Sequence, residues 1–211
     1  HREASSLDLI SPTGAPDAVQ GFLDYLLLGT PAAPLRQVLE ESGLGEAVVG
    51  GGLEDELRQP TFCIGLKGVS EENVPKVEEL IMAELKRLSE EGFSDDAVEA
   101  AVNTIEFSMR ENNTGRFPRG LSLMLRSMSS WLYEGDAFEP MKFSEPLAKL
   151  KERLAKEDVF KSLIKKVFLE NTHKVTLELQ PDTGLGALME AEEKAKIQAF
   201  RASLDETQLL E

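Results

Sequence analysis

Metal-assisted hydrolysis requires neutral imidazoles on one turn of helix, a carboxylate completing the ligand set and another activating the bound water. This 211-residue sequence has only two histidines, His1 and His173, near its opposite ends, and neither belongs to an H-E-x-x-H motif or its inverse H-x-x-E-H. His173 stands at the start of an apolar-polar alternation and reads as an edge or surface residue. Nucleophilic catalysis has no better foothold, because there is no G-x-S-x-G elbow and the single Cys63 has no evident histidine partner. Cys63 reads as a small strand residue. The paired carboxylates Glu71-Glu72 and Glu90-Glu91 fall at predicted helix ends, where the helix dipole and solubility account for them. Gly50-Gly51-Gly52 lacks both the G-x-G-x-x-G spacing and a following Lys-Ser/Thr, so it reads as a bulge or bend, not a phosphate cradle. Asn112-x-Thr114 matches a glycosylation sequon without secretory context and is read as coincidence. No residue is assigned a catalytic, cofactor-binding or metal-binding role.

The charge balance narrows the partners. Acidic residues outnumber basic ones 38 to 23, a net charge of −15, which argues against nucleic acid or anionic lipid. The charge is segregated: residues 142–174 hold nine Lys or Arg against five Asp or Glu. Such a segment reads first as a solvated helix face, with Lys165 and Lys166 as the residues to test if it instead meets a neighbouring domain. With 41% hydrophobic and 29% charged residues the chain has the composition of a packed fold. The longest apolar run, Phe22 to Leu28, is interrupted by Asp24 and is far short of the roughly 20 residues a membrane-spanning helix needs. No membrane partner is expected, and residues 1–4 lack the layout of a secretory signal.

Several elements would have to carry any site. Residues 1–20, with Ser5, Ser6, Ser11, Pro12, Gly14 and Pro16, read as a leader or linker. Phe22 to Leu28 predicts a helix stopped by Gly29-Thr30-Pro31, and Leu35, Val38 and Leu39 a second short one. Alternation of Phe62, Ile64 and Leu66 predicts a half-buried strand within a hairpin spanning residues 47–69. Ser70 is predicted to cap a long helix with core stripe Val74, Val77, Ile81, Leu85 and Leu88, ending at Gly92. A helix opened by Ser94 follows, with Val98, Ala101, Val102, Ile105 and Met109 on one face, and the two are expected to pack antiparallel. Leu121, Met124, Leu125, Met128 and Leu132 define a third amphipathic helix, its methionines read as core filler. Helical segments fill residues 143–168, and Lys174 to Leu179 returns to strand alternation and is expected to join the same sheet. Leu188 to Leu204 has few large apolar residues and reads as a connector. This order predicts an α+β fold, a mostly antiparallel sheet covered on one face by helices.

Longer stretches carry a resemblance: GFLDYLLLGTPAAPL over 21–35, ESGLGEA over 41–47, IGLKGVSEENVPKVEELI over 64–81, NTIEFSMRENNTGRFPRGLSLMLRS over 103–127 and VTLELQPD over 175–182. These resemble the presequence proteases, zinc metallopeptidases of the pitrilysin family. The resemblance implies four homologous α/β rolls in two lobes joined by a helical hinge, with zinc held by an inverted motif in the first domain. It places residues 21–182 as the second, non-catalytic domain and residues 183–211 as the start of the hinge. No catalytic residue of the family maps onto this chain, which alone is expected to be inactive. The implied work of the whole is degradation of cleaved targeting presequences, transit peptides and other short unstructured peptides in the chloroplast stroma or mitochondrial matrix. Implied partners are the other domains of the same protease and basic unstructured peptides in its chamber. A stand-alone interaction module keeping the same fold is the alternative.

Overall fold

A computed structural model describes residues 3–10 and 18–204, which fall into two compact units, one ending at Leu179 and the other beginning at Gln180. The first unit is built on a four-stranded antiparallel sheet in the order β2-β3-β1-β4. Its strands are β1 (Glu3–Ile10), β2 (Ala47–Glu54), β3 (Thr61–Lys67) and β4 (Lys174–Leu179). With helices packed on this sheet, the fold is α+β.

Residues 3–10 of the stretch read as a leader or linker form β1. It occupies the sheet interior, with Leu7 opposite Ile64 of β3 on one side and Thr176 of β4 on the other. Two causes hid it from the sequence. The register slips between Glu3 and Ser6 on both edges, which breaks the period of two that alternation relies on. Its partners also lie far along the chain, so local propensity carries little of the information. The remaining residues of 11–17 lie outside the described residues.

The β2–β3 hairpin matches its expected place. Phe62, Ile64 and Leu66 of β3 are buried and form the floor of the core. The triple glycine is a bulge: Val49 pairs with Gly65 and Gly52 with Cys63, so two residues of β2 oppose one of β3.

The helices α1 (Ala18–Leu28), α2 (Pro34–Glu41) and α3 (Val74–Glu91) cover this floor. Leu27, Leu35, Leu39, Val77, Ile81, Leu85 and Leu88 meet in one cluster. Each such side chain contributes about 1.5–3 kcal/mol by leaving water. Ser70 does not cap α3 directly; a 3-10 turn, Glu71–Asn73, intervenes, and the α-helix starts with Val74-Pro75, proline being suited to a first turn. Gly92 ends α3 with φ 81, and the Ser94 hydroxyl accepts from Ala97 N to open α4 (Asp95–Glu111).

The expected antiparallel pairing of α3 with α4 is not how either helix is used. The stripe of α3 is taken up by α2, by α7 (Val159–Ile164) and by the sheet, and α4 packs instead against α1. Ala101 and Val102 are buried there, whereas Ile105 and Met109 are half-buried. α6 (Ser144–Leu154) adds Leu147 and Leu150 to the core. α7 runs into a π-helical turn, Lys165–Leu169, whose Phe168 ring meets Phe62 edge-on at 4.9 Å.

β4 is an exposed edge strand along its whole length. It is tied to α3 by Glu78, which accepts from Lys174 Nζ at 2.7 Å and from Thr176 Oγ1 at 2.8 Å. These bonds hold the Glu78 carboxyl below its usual value of 4.5, Lys174 contributing most. A lowered folded-state pKa stabilises above the unfolded value and is lost as pH falls through the folded one. Glu78→Gln is therefore expected to cost up to about 1 kcal/mol near neutrality. The difference in thermal midpoint from the parent chain should vanish as pH drops well below 4.5. A difference that persists unchanged in acid would show that the carboxylate charge is not what holds β4.

The second unit is α8 (Leu185–Ser203), which buries none of its side chains.

Candidate functional site

The residues with catalytic potential are dispersed. His173 sits exposed in the irregular segment before β4, where its backbone N–H donates to Asn171 Oδ1 at 2.9 Å. His1 lies outside the described residues. Cys63 is half-buried on β3. Glu90 is exposed and Glu91 pairs with Arg87, while Glu71 and Glu72 lie exposed in the 3-10 turn. Among the described residues no three His, Cys, Asp or Glu side chains come together as a metal-binding group. Among the described residues, one exposed imidazole and scattered carboxylates do not make up the donor set of a catalytic zinc, which takes about three converging protein ligands. Asn112 of the sequon is the left-handed C-cap of α4, and the Thr114 hydroxyl donates to Phe117 O.

Among the described residues Glu84 is the buried acid and Asp24 is half-buried, and both have structural partners. Glu84 is buried on α3 and takes a bidentate pair from Arg87, at 2.6 and 2.9 Å. Those bonds and one to Glu91 raise the Arg87 pKa further, fixing its charge. Asp24 of α1 accepts from Leu53 N at 2.9 Å, just past the β2 bulge. Burial pushes its carboxyl above the usual aspartate value, opposed by the Leu53 hydrogen bond and reinforced by nearby Asp55. Asp24 also borders a recess with Gln20, Leu23, Leu53, Phe62 and Phe168. Its free space of about 20 Å³ holds about one water, too little for an organic ligand.

The basic segment is largely neutralised within the chain. Eight of its nine cations are ion-paired, among them Lys142 with Asp136 and Glu139, Lys151 with Glu106, and Lys165 with Glu170. This is the solvated, salt-bridged face that charge patterning alone predicts.

What stands out is apolar and uncovered. α5 (Arg119–Trp131) buries none of its residues, and its principal contact is the 3-10 turn Glu139–Met141. Leu121, Met124, Leu125, Trp131 and Leu132 are exposed, which overturns the reading of this stripe as core. Helical periodicity located the stripe correctly and could not say what it faces. On β4, Val175, Leu177 and Leu179 share one face as expected and are exposed too.

Residues 13–105 match a family model described as the peptidase M16 inactive domain. The sequence is also 62% identical over 194 residues, 90% of this chain, to presequence protease 1, chloroplastic/mitochondrial, of Arabidopsis thaliana. The chain belongs to the M16 peptidase inactive domains. Protein HypA of Clostridium perfringens is 34% identical over 90% of the chain, and the mitochondrial presequence protease of Mus musculus 31% over 76%. This inactive domain spans 18%, 19% and 15% of those three relatives. Solved structures share its fold. The inactive peptidase domain of a proposed zinc protease from Bordetella parapertussis superposes with a TM-score of 0.61 at 18% identity, covering 86% of this chain and 94% of that one. The first half of the periplasmic protease PqqL from Escherichia coli does so at 0.54 and 14% identity, covering 86% of this chain and 40% of that one.

Proposed function

We propose that this chain is the second domain of the N-terminal lobe of a zinc metalloendopeptidase that degrades cleaved presequences, transit peptides and other short unstructured peptides. It supplies part of the wall that encloses them and no catalytic group. The observation that carries this reading is the 62% identity to a presequence protease over 90% of the chain, by a sequence that matches an inactive domain. The dispersed histidines and carboxylates support the division of labour: zinc and the residues that activate its water belong to another domain of the same polypeptide. The organelle names of the relatives support a chloroplast or mitochondrial interior. The acidic surface supports a role towards basic peptides, since a wall of like-signed carboxylates raises the local concentration of cationic chains without reading their sequence. In this reading residues 21–182 form the domain and residues 183–211 lead into a helical connector.

The test is metal content by mass spectrometry after dialysis, with cleavage of a basic unstructured peptide measured alongside. The chain alone is expected to hold no stoichiometric zinc and to leave the peptide intact. One tightly held zinc per chain, or cleavage abolished by a chelator, would overturn the reading.

A further inference from the structure

The sheet ends differently on its two sides. At one edge β2 is kinked by the glycine bulge between Val49 and Gly52, a device that turns an edge strand away from further pairing. At the other edge β4 reads Lys-Val-Thr-Leu-Glu-Leu, with neither glycine nor proline. The register slip it shares with β1 leaves β4 regular: Glu3 to Ser6 is matched by Leu179 to Leu177, so the extra residue lies on β1. Every second residue of β4 turns its N–H and C=O away from β1, towards the outer edge. Val175 is 55% exposed, Leu177 45% and Leu179 51%. A regular, apolar edge of this kind is a template for another strand.

We propose that β4 is a self-pairing edge: a second copy of this chain sets its own β4 antiparallel to it across a two-fold axis at Thr176, doubling the four-stranded sheet. The order of side chains along β4 selects this occupant. With Thr176 opposite Thr176, Val175 falls opposite Leu177 and Lys174 opposite Glu178, and the two-fold makes each of the last two pairs twice. Opposite charges, a Thr–Thr pair and a β-branched residue against an apolar one are combinations that stabilise an antiparallel ladder when directly opposed. The two faces of the sheet also stay in order. Lys174 and Thr176 lie on the α3 side, where both bond to Glu78, so Val175 and Leu177 lie on the other side and cover each other across the axis. Lys174 then stands between Glu78 of its own chain and Glu178 of the other copy. A basic peptide has no comparable reason to choose this edge, because one lysine and one glutamate leave β4 without net charge. The inference goes beyond the functional reading and does not depend on it.

Sedimentation and amide exchange on the 211-residue chain test the proposal, with reductant present so that Cys63 cannot cross-link two copies. At about 0.15 M salt, repulsion between two acidic chains is screened beyond about 8 Å, and the sedimenting mass should double as concentration rises. Over the same range exchange should slow at every second amide of β4. Leu177→Lys lays an ammonium against Val175 on both sides of the axis, and Glu178→Lys sets one against Lys174. Each should weaken association roughly tenfold, since each spoils two directly opposed pairs. The thermal midpoint of the dilute Leu177→Lys chain should stay close to the parent's, because that side chain already stands in solvent. A chain that stays monomeric at millimolar concentration would overturn the proposal. So would a dimer whose β4 amides exchange as fast as the monomer's, which would place the contact elsewhere, or protection of β4 that appears only on adding a basic peptide. Weakening by Leu177→Lys without weakening by Glu178→Lys would refute the charge-paired register, and with it the choice of a second copy.

Discussion

Replacing Leu85 with alanine is expected to cost about 3 kcal/mol and to lower the thermal midpoint by roughly 6–12 °C. Leu85 is fully buried on α3, the helix that touches α2, α7 and the sheet at once. A cavity opened there is bounded by several packed elements, and none can move inward without breaking its own contacts, so relaxation recovers little of the loss. Leu125→Ala removes the same atoms from α5, where the side chain is 51% exposed, and should stay within about 0.5 kcal/mol. Calorimetry on the two variants distinguishes core from uncovered surface on helices of similar amphipathic pattern. If Leu85→Ala left the midpoint in place, α3 would not be the central helix of this core.

That comparison also marks what periodicity can and cannot reveal. The stripe Val77, Ile81, Leu85 and Leu88 and the stripe Leu121, Met124, Leu125 and Met128 both follow the helical period, and periodicity identifies only which residues share a side. Which body covers that side is a tertiary fact. For α3 the cover lies within the first unit, and the expectation of burial held. For α5 the stripe is exposed among the described residues, and the same expectation failed. β1 failed for a different reason: a register slip near its start disrupts alternation, and pairing with remote β3 and β4 supplies the order that Ser5 and Ser6 do not advertise. Features encoded over a few residues were legible. The glycine stop at Gly92, the Ser94 cap, the glycine bulge and the β2–β3 hairpin all depend on neighbours within a turn or two.

The largest backbone effect is expected from Gly50→Ala, and its reason lies in the bulge that joins sheet and α1. Gly50 has φ 97, a conformation that side-chain-bearing residues rarely adopt, and a methyl group there would run into the Cys63 carbonyl of the paired strand. Neither the backbone of β3 nor the left-handed turn can yield cheaply, so the substitution should cost on the order of 3 kcal/mol. Gly51, one residue on, supplies the control, because a methyl group there would meet nothing closer than Glu54 Oε1 at 3.6 Å. Gly51→Ala should be near neutral, or stabilising by up to about 1 kcal/mol through a less flexible unfolded chain. The structural readout is amide exchange at Leu53, whose N–H is held by Asp24 immediately beyond the bulge. Gly50→Ala should speed that exchange markedly and lower the thermal midpoint, because a displaced β2 carries Leu53 away from α1. Should the two alanine variants show the same midpoint and the same Leu53 exchange, the bulge would not depend on a left-handed glycine, and the register of β2 would have to be fixed by the β3 pairing alone.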